Sequence, residues 1–296
     1  MVKKIIFDSD IGSDVDDAYA LLYAVKSDDL ELQAVTTVYG KTDLRARLAR
    51  KLLYYAGLEK IRVCVGESEP IRSVREVWHT GLEGKGVLEE EDFAYSLRER
   101  GIQENAPKFL VDEIMNECGK STIVSIGALT NVARALRMKP EIKSKIEHHY
   151  IMGGCFGENY PEHNIACDVR AAQIVFSNDY PKTLIPLDIT SKTDIGREEL
   201  YDLRKGDKLQ RAVSKLSDVW FSYKNRYPGE EASSTCMHDP LTLAVINHPE
   251  LVESKVESVK VDEEGVTYFG GNCPVNVGIG INEEKFKEHF LDVIYR

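Results

Sequence analysis

Nowhere do the 296 residues offer about 18 consecutive apolar side chains, the length a membrane-crossing helix needs. The opening "MVKKIIFDSD" turns polar too early for the apolar core of a secretory leader, so a cytoplasmic location is the expectation. Positive charge is in deficit: 38 Lys and Arg stand against 49 Asp and Glu, a net charge of −11. A general nucleic-acid binder needs the reverse, and no basic amphipathic stretch suits an anionic membrane. Cysteine is sparse and unpatterned. Cys64, Cys118, Cys155, Cys167, Cys236 and Cys273 form no C-x-x-C pair and no disulfide framework. Several sit inside apolar runs, as in "IRVCVG", which predicts reduced, mostly buried thiols. A chain this long buries roughly 75% of its unfolded surface, so folding requires no staple. Linkers, repeats and low-complexity tracts are also missing, which predicts one domain, 1–296, with local insertions.

Short apolar runs alternate with amphipathic ones. "KIIF", "LELQAVTTVY" (30–39), "IRVCVG", "STIVSIG", "HHYIMGG" and "KTLIPLDIT" (182–190) read as strands. Helical spacing occupies 16–26, 43–57, 105–119, 129–138, 168–178, 207–225 and 239–247, with a charged helical stretch after the Gly-rich loop 80–86. "ESVKVDEEGVTYFG" reads as a hairpin turning at Glu263-Glu264-Gly265. This alternation predicts an α/β fold: an open, mainly parallel sheet flanked by helices, with a Rossmann-like core. Ligands of such sheets bind at the carboxyl ends of the strands.

Those ends are unusually acidic. "FDSDIGSDVDDAYALL" (7–22) crowds Asp8, Asp10, Asp14, Asp16 and Asp17 between a strand and a helix. A helix N-terminus favours an anion by roughly 0.3–1 kcal/mol, enough for one or two aspartates and not for five. Gathered carboxylates suit a hard cation, Ca²⁺ or Mg²⁺, and the motif has no Cys or His for a softer metal. "SIGALTNVARAL" (125–136) ends a strand at Ile126, where Gly127 permits a close turn and frees a carbonyl; Thr130 or Asn131 could cap the next helix. "GGCFGENYPEHNIACDVRAA" (153–172) supplies Glu158, Asn159, Glu162, Asn164 and Asp168, groups that suit a hydroxyl-rich ligand, with Asp168 also a possible helix cap. "TCMHDPLTLAV" (235–245) sets His238, a possible proton donor or leaving-group contact, beside Asp239, a metal ligand or an N-cap.

In combination, "DSDIGSDVDDAYAL", "GALTN", "GG…EHN…D" and "HDP" resemble, in this order, the inosine–uridine-preferring nucleoside hydrolase family, and "WHTGLEGKG" (78–86) resembles its His-Gly loop. The resemblance runs from residue 3 to about 245. It implies a Ca²⁺-dependent enzyme that hydrolyses the N-glycosidic bond of ribonucleosides, serves purine or pyrimidine salvage, and forms homodimers or homotetramers. Carried over residue by residue, it implies Asp10 contacting both the cation and the attacking water whose proton it accepts. Asp17 would be a bidentate ligand, Ile126 would offer its carbonyl, and Asp239 would close the metal site. Asp16, or Asp14, would receive a ribose hydroxyl; Asn159, Glu162 and Asn164 would hold the sugar; His79 and His238 would lie near the base. Base contacts would come from loops around 78–86 and 222–236, and Trp220, Tyr223 and Tyr227 could stack on a base, though each could equally be a partly buried helix aromatic.

Three features depart from the family pattern. The loop "GSDVDD" is two residues longer than the common form. Lys41 stands in "VYGK", counted here with the substrate-contacting set, where Asn is usual. The stretch between Gly154 and Glu162 is short. Two rival readings follow: a ribosyl- or nucleoside-binding homologue with no turnover or an altered specificity, suggested by Lys41, and a haloacid-dehalogenase-like phosphatase, suggested by the strand followed by "DSD".

Overall fold

Residues buried on both sides of a sheet must be apolar in succession, and the first strand shows this. In β1 (Lys3–Ser9), Ile5 and Phe7 join the core on one face while Ile6 joins the core on the other. The computed structural model describes residues 2–76, 80–116, 120–226 and 232–296. The remaining strands are β2 (Leu30–Thr37), β3 (Arg62–Val65), β4 (Ile102–Glu104), β5 (Ser121–Ser125), β6 (Ile146–Met152), β7 (Lys182–Ile185), β8 (Asp194–Gly196), β9 (Ser234–Cys236), β10 (Val252–Val261) and β11 (Thr267–Ile281). Nine of them form one sheet in the order β10-β11-β7-β6-β5-β1-β2-β3-β4. Every neighbouring pair is parallel except the β10–β11 hairpin at one edge. β8 and β9 pair separately. The expected open, mainly parallel α/β architecture is therefore present.

Strand order reverses at β1. The chain adds β2, β3 and β4 on one side, then returns to place β5, β6 and β7 on the other. Loops diverge at such a switch point and leave a crevice at the carboxyl ends. Here those ends are Ser9-Asp10 and Ile126-Gly127, tied by a hydrogen bond from Ile126 N to Asp8 O of 2.9 Å. No helix among the described residues is long and apolar enough to cross a membrane.

The helices largely fall where their periodicity places them, including Asp16–Lys26, Thr42–Tyr55 and Lys208–Lys224. Three corrections have physical causes. "KTLIPLDIT" is not all strand: Pro186 cannot donate to a ladder and instead starts the short helix Leu187–Thr190. Asp188 of that helix accepts from Phe156 N at 2.9 Å and holds the loop after β6. Beyond the Gly-rich loop, the charged stretch makes only the one-turn helix Glu90–Phe93. Thr130 and Asn131 do not cap their helix. Thr130 Oγ1 donates to Asp168 (2.7 Å), and Asn131 Nδ2 donates to Asp8 (2.7 Å) and to Thr37 O (3.0 Å). Cys64, Cys155 and Cys167 are buried free thiols as expected, whereas Cys236 and Cys273 are half-buried; Cys118 lies outside the described residues.

A buried polar chain links β5 to β6 and to Tyr180. His149, fully buried in β6, pairs Nε2 with Ser125 Oγ (2.8 Å) and Nδ1 with Tyr180 Oη (3.1 Å). Burial, then the charges of Lys182 and His148, hold its imidazole well below the usual histidine range. The folded chain therefore refuses a proton that the unfolded chain binds near pH 6.5. Stability from this group is present above that pH and is lost as pH falls below it. Thermal unfolding of His149→Gln should vary less steeply between pH 7 and 5 than that of the wild type, by at most about 1.4 kcal/mol per pH unit. Parallel pH curves would contradict this assignment.

Candidate active site

Asp10, Ser13, Asp14, Asp16, Asp17, Ile126, Glu162, Asn164, His238 and Asp239 come together around one cavity of about 240 Å³ at the switch point. Local structure explains the gathering. Asp16 and Asp17 occupy the first turn of the helix Asp16–Lys26, and Asp239 that of the helix His238–Ala244. These two helices abut, so their acidic ends meet: Asp239 N donates to Asp16 Oδ2 at 3.3 Å. Carboxylate oxygens of Asp16, Asp17 and Asp239, all buried, lie within 4.8 Å of one another. Asp239 is thus no N-cap; Met237 takes that position. Asp17 is fixed by Ser9 Oγ, which donates to it at 2.6 Å.

Such a group repels itself. Burial first, and then neighbouring aspartates, hold Asp16, Asp17 and Asp239 well above the usual carboxylate range, and burial lifts Asp14 to about 6. A buried cation beside them, Arg45, donates to backbone carbonyls and to Ser13 rather than to a carboxylate. Oxygen-only donors, dehydrated and short of positive charge, fit a hard divalent cation. Ile126 lines the same cavity, and its carbonyl accepts one hydrogen bond, from Asn164 Nδ2 at 3.0 Å. A carbonyl oxygen has two lone pairs, so one remains. Asp8 stands apart. It is wholly buried, accepts from Thr36 (2.6 Å) and Asn131 (2.7 Å), and is pushed up to about 7 by burial, consistent with a structural role at the end of β1.

Close approach of β1 and β5 depends on Gly127. A Cβ there would lie 2.7 Å from Asp10 Oδ1 and 3.0 Å from Asp10 N. Gly127→Ala should therefore displace Asp10 and cost about 1–3 kcal/mol of stability. Turnover and melting temperature both unchanged would show that Asp10 has room to spare.

Also lining the cavity, Glu162 is the N-cap of the short helix His163–Cys167, accepting from Asn164 N (2.9 Å), Ile165 N (3.1 Å) and Gly154 N (3.0 Å). Asn164 Nδ2 also reaches Met152 O at 3.3 Å, which leaves the side-chain oxygen of Asn164 as its group for a ligand. Asp168 is the cap of the following helix and accepts from Ala171 N at 3.0 Å, outside the cavity wall. His238 Nδ1 pairs with Thr190 Oγ1 at 2.8 Å, and burial lowers its imidazole to about 4.

Like Asp168, the expected residues Glu158, Lys41, Asn159, Trp220 and Tyr223 are not on the cavity wall. Lys41 is directed to Glu83, its Nζ 4.0 Å from Oε2, and Asn159 accepts from Tyr268 Oη at 2.9 Å. Trp220 is buried, with Nε1 donating to Thr235 Oγ1 at 3.3 Å, and stacks on Tyr223 with ring centroids 5.7 Å apart. His79 and Tyr227 lie outside the described residues. Conversely, the cavity includes Ser13, Met152, Tyr160, His163 and Leu187, which the sequence reading passed over. His163 stood between two selected residues in "EHN", and that adjacency was the available signal. Its Nδ1 faces Arg75 Nη2 at 2.8 Å; arginine can only donate, so this nitrogen accepts.

An open, mainly parallel sheet with a buried carboxylate cluster in a cavity at its switch point defines an α/β protein with a candidate metal centre. The chain belongs to the inosine–uridine preferring nucleoside hydrolase family, whose model matches residues 5–288. It is an enzyme of the nucleoside hydrolase, hence glycosidase, class. It is 30% identical over 277 residues to a probable uridine nucleosidase 1 of Oryza sativa subsp. japonica, covering 89% of this chain and 82% of the relative. It is 27% identical over 318 residues to the inosine–uridine preferring nucleoside hydrolase of Crithidia fasciculata, covering 100% of this chain and 98% of that one. Among solved structures, a purine-preferring ribonucleoside hydrolase from Gardnerella vaginalis superposes with a TM-score of 0.83 at 27% identity, covering 99% of this chain and 98% of the other. The phosphatase reading is set aside by this membership.

Proposed function

We propose that this enzyme hydrolyses the N-glycosidic bond of ribonucleosides to free base and ribose, with Ca²⁺ as its cation. The observation that carries the reading is the convergence of Asp16, Asp17 and Asp239 in one cavity with Asp10, Glu162 and Asn164. Asp10, Asp17, Asp239 and the Ile126 carbonyl would hold the cation, with Asp16 close enough to join them or to meet a sugar hydroxyl. Bound there, the cation would supply Lewis-acid polarisation and a fixed positive charge.

The chain's own groups do the rest. Asp10 accepts the proton of the water that attacks C1′, help worth about 10²–10⁴ in rate. The C1′–N bond breaks as positive charge develops on the sugar, and the surrounding carboxylates stabilise that charge. Hydroxyl contacts from Asp14 or Asp16, Glu162 and Asn164 orient the ribose, and direct attack predicts inversion at C1′. With its imidazole lowered to about 4, His238 is neutral at pH 7 and serves the departing base as an N–H donor rather than as a cation. A cavity of about 240 Å³ is smaller than the roughly 300–1,000 Å³ of sites that enclose a drug-sized ligand, so it suits the sugar while the base extends toward the mouth.

Base release from inosine, adenosine, guanosine, uridine, cytidine and 2′-deoxyinosine, with added Ca²⁺ and again after exhaustive chelation, tests the reading. Calcium-dependent release from ribonucleosides, with little from the deoxy compound, is the expected result. Calcium binding with no release from any of them would favour the binding-protein alternative.

A further inference from the structure

Arg45 heads the largest fully buried side chains among the described residues, with no solvent exposure. Arginine is almost never found in this state unless its charge and donors are paired. It projects from the helix Thr42–Tyr55, one turn beyond Lys41, whose carbonyl accepts from Arg45 N at 3.1 Å. Its partners are specific. Nε donates to Tyr39 O at 2.8 Å; Nη1 donates to Asp10 O and to Ile11 O, the latter at 3.1 Å; Nη2 donates to Ser13 Oγ at 2.9 Å. One planar fork thus spans the ends of β1 and β2 and the aspartate loop between β1 and its helix.

Two local features depend on this fork. Tyr39 adopts φ +64°, a left-handed conformation that is unfavourable for a bulky residue, and its carbonyl is held by Arg45. Ile11 is fully buried and Asp10 nearly so, so their carbonyls would be left dry without the guanidinium. Ser13 belongs to the loop "GSDVDD", longer than the family's common form, and it lines the cavity while accepting from Arg45. The guanidinium also acts favourably on the Asp17 carboxylate.

We propose that Arg45, locked by Ser13, is a positioning residue for the cation: it clamps the turn Asp10–Ser13 so that Asp10 faces the cavity beside Asp17. The inference rests on the metal-centre reading above. Arg45 does not line the cavity; its donors go to backbone carbonyls and to Ser13 Oγ. It sets the backbone that carries Asp10, and its charge partly offsets that of the aspartates. Orienting partners of this kind change metal affinity by about 10–100-fold when removed.

Calcium titration calorimetry on metal-stripped wild type, Arg45→Lys, Arg45→Met and Ser13→Ala tests this, with hydrogen exchange of the amides of residues 10–17 as a second readout. Arg45→Met should bind Ca²⁺ about 10–100-fold more weakly, Arg45→Lys should recover part of the loss, and both should show faster exchange in that loop. Ser13→Ala should weaken binding alone but add little to Arg45→Lys, because the two act through one contact. Should Arg45→Met fail to fold, the Lys and Ala variants decide. Variants that melt lower yet bind Ca²⁺ within twofold of wild type would overturn the proposal, leaving Arg45 a fold-supporting residue only; so would a wild type that binds no Ca²⁺. Wild type that binds Ca²⁺ but releases no base would refute the hydrolase mechanism and leave the Arg45 comparison intact.

Discussion

Asp10→Asn is expected to fold as the wild type does and to lose about 10²–10⁴ of kcat. The substitution keeps the shape that packs against Gly127 and the backbone that Arg45 holds, but an amide cannot take a proton from water. Binding should suffer less than turnover. Glu162 and Asn164, which are proposed to hold the sugar, are fixed by hydrogen bonds to Gly154 N and to the Ile126 carbonyl, not to Asp10. The decisive comparison is kcat against KM at saturating Ca²⁺, beside circular dichroism to verify the fold. Near-normal kcat would remove Asp10 from proton transfer and require another acceptor among the cavity carboxylates.

Removing the cation should have a comparably large effect by a different route. Chelation is expected to abolish turnover, and restoring Ca²⁺ to 100 times its Kd should add about 2.7 kcal/mol of stability, a rise in melting temperature of roughly 4 °C for a chain this size. The stabilisation arises because the cation relieves repulsion among Asp16, Asp17 and Asp239, which share a buried volume. On the proposed ligand set, Asp17→Asn should weaken that calcium-dependent rise because it removes one carboxylate already oriented by Ser9. A melting temperature indifferent to Ca²⁺, with turnover surviving chelation, would refute a metal-dependent mechanism. An Asp17→Asn protein with an undiminished calcium response would remove Asp17 from the ligand set.

Much of the architecture was readable because it depends on short-range rules. Strand and helix alternation reports two-sided burial of a parallel sheet, and the Asp16–Lys26 helix was placed to the residue by its spacing. The C-terminal helix Glu283–Ile294 escaped notice although its signal was present: Asn282 caps it, and Phe286, Phe290, Val293 and Ile294 recur on one face. The three-residue strand β4 carried too little pattern to be seen. Aspartate crowding in "DSDIGSDVDD" declared an acidic centre by composition alone, and the order of motifs declared the family.

Tertiary structure decided what each polar residue is for. The dipeptide His238-Asp239 looks the same whether Asp239 caps a helix or meets Asp16; only the abutment of two helix starts, 223 positions apart in the chain, selects the second. Lys41 looked like a departure inside the site, yet its side chain leaves toward Glu83. One helical turn later Arg45, unremarkable in a run of charged residues, is driven inward to satisfy carbonyls from three separate residues. The reason is physical. Patterning along a chain records burial and local hydrogen bonding, whereas a polar side chain takes its role from the unsatisfied partners that folding brings to it from distant segments.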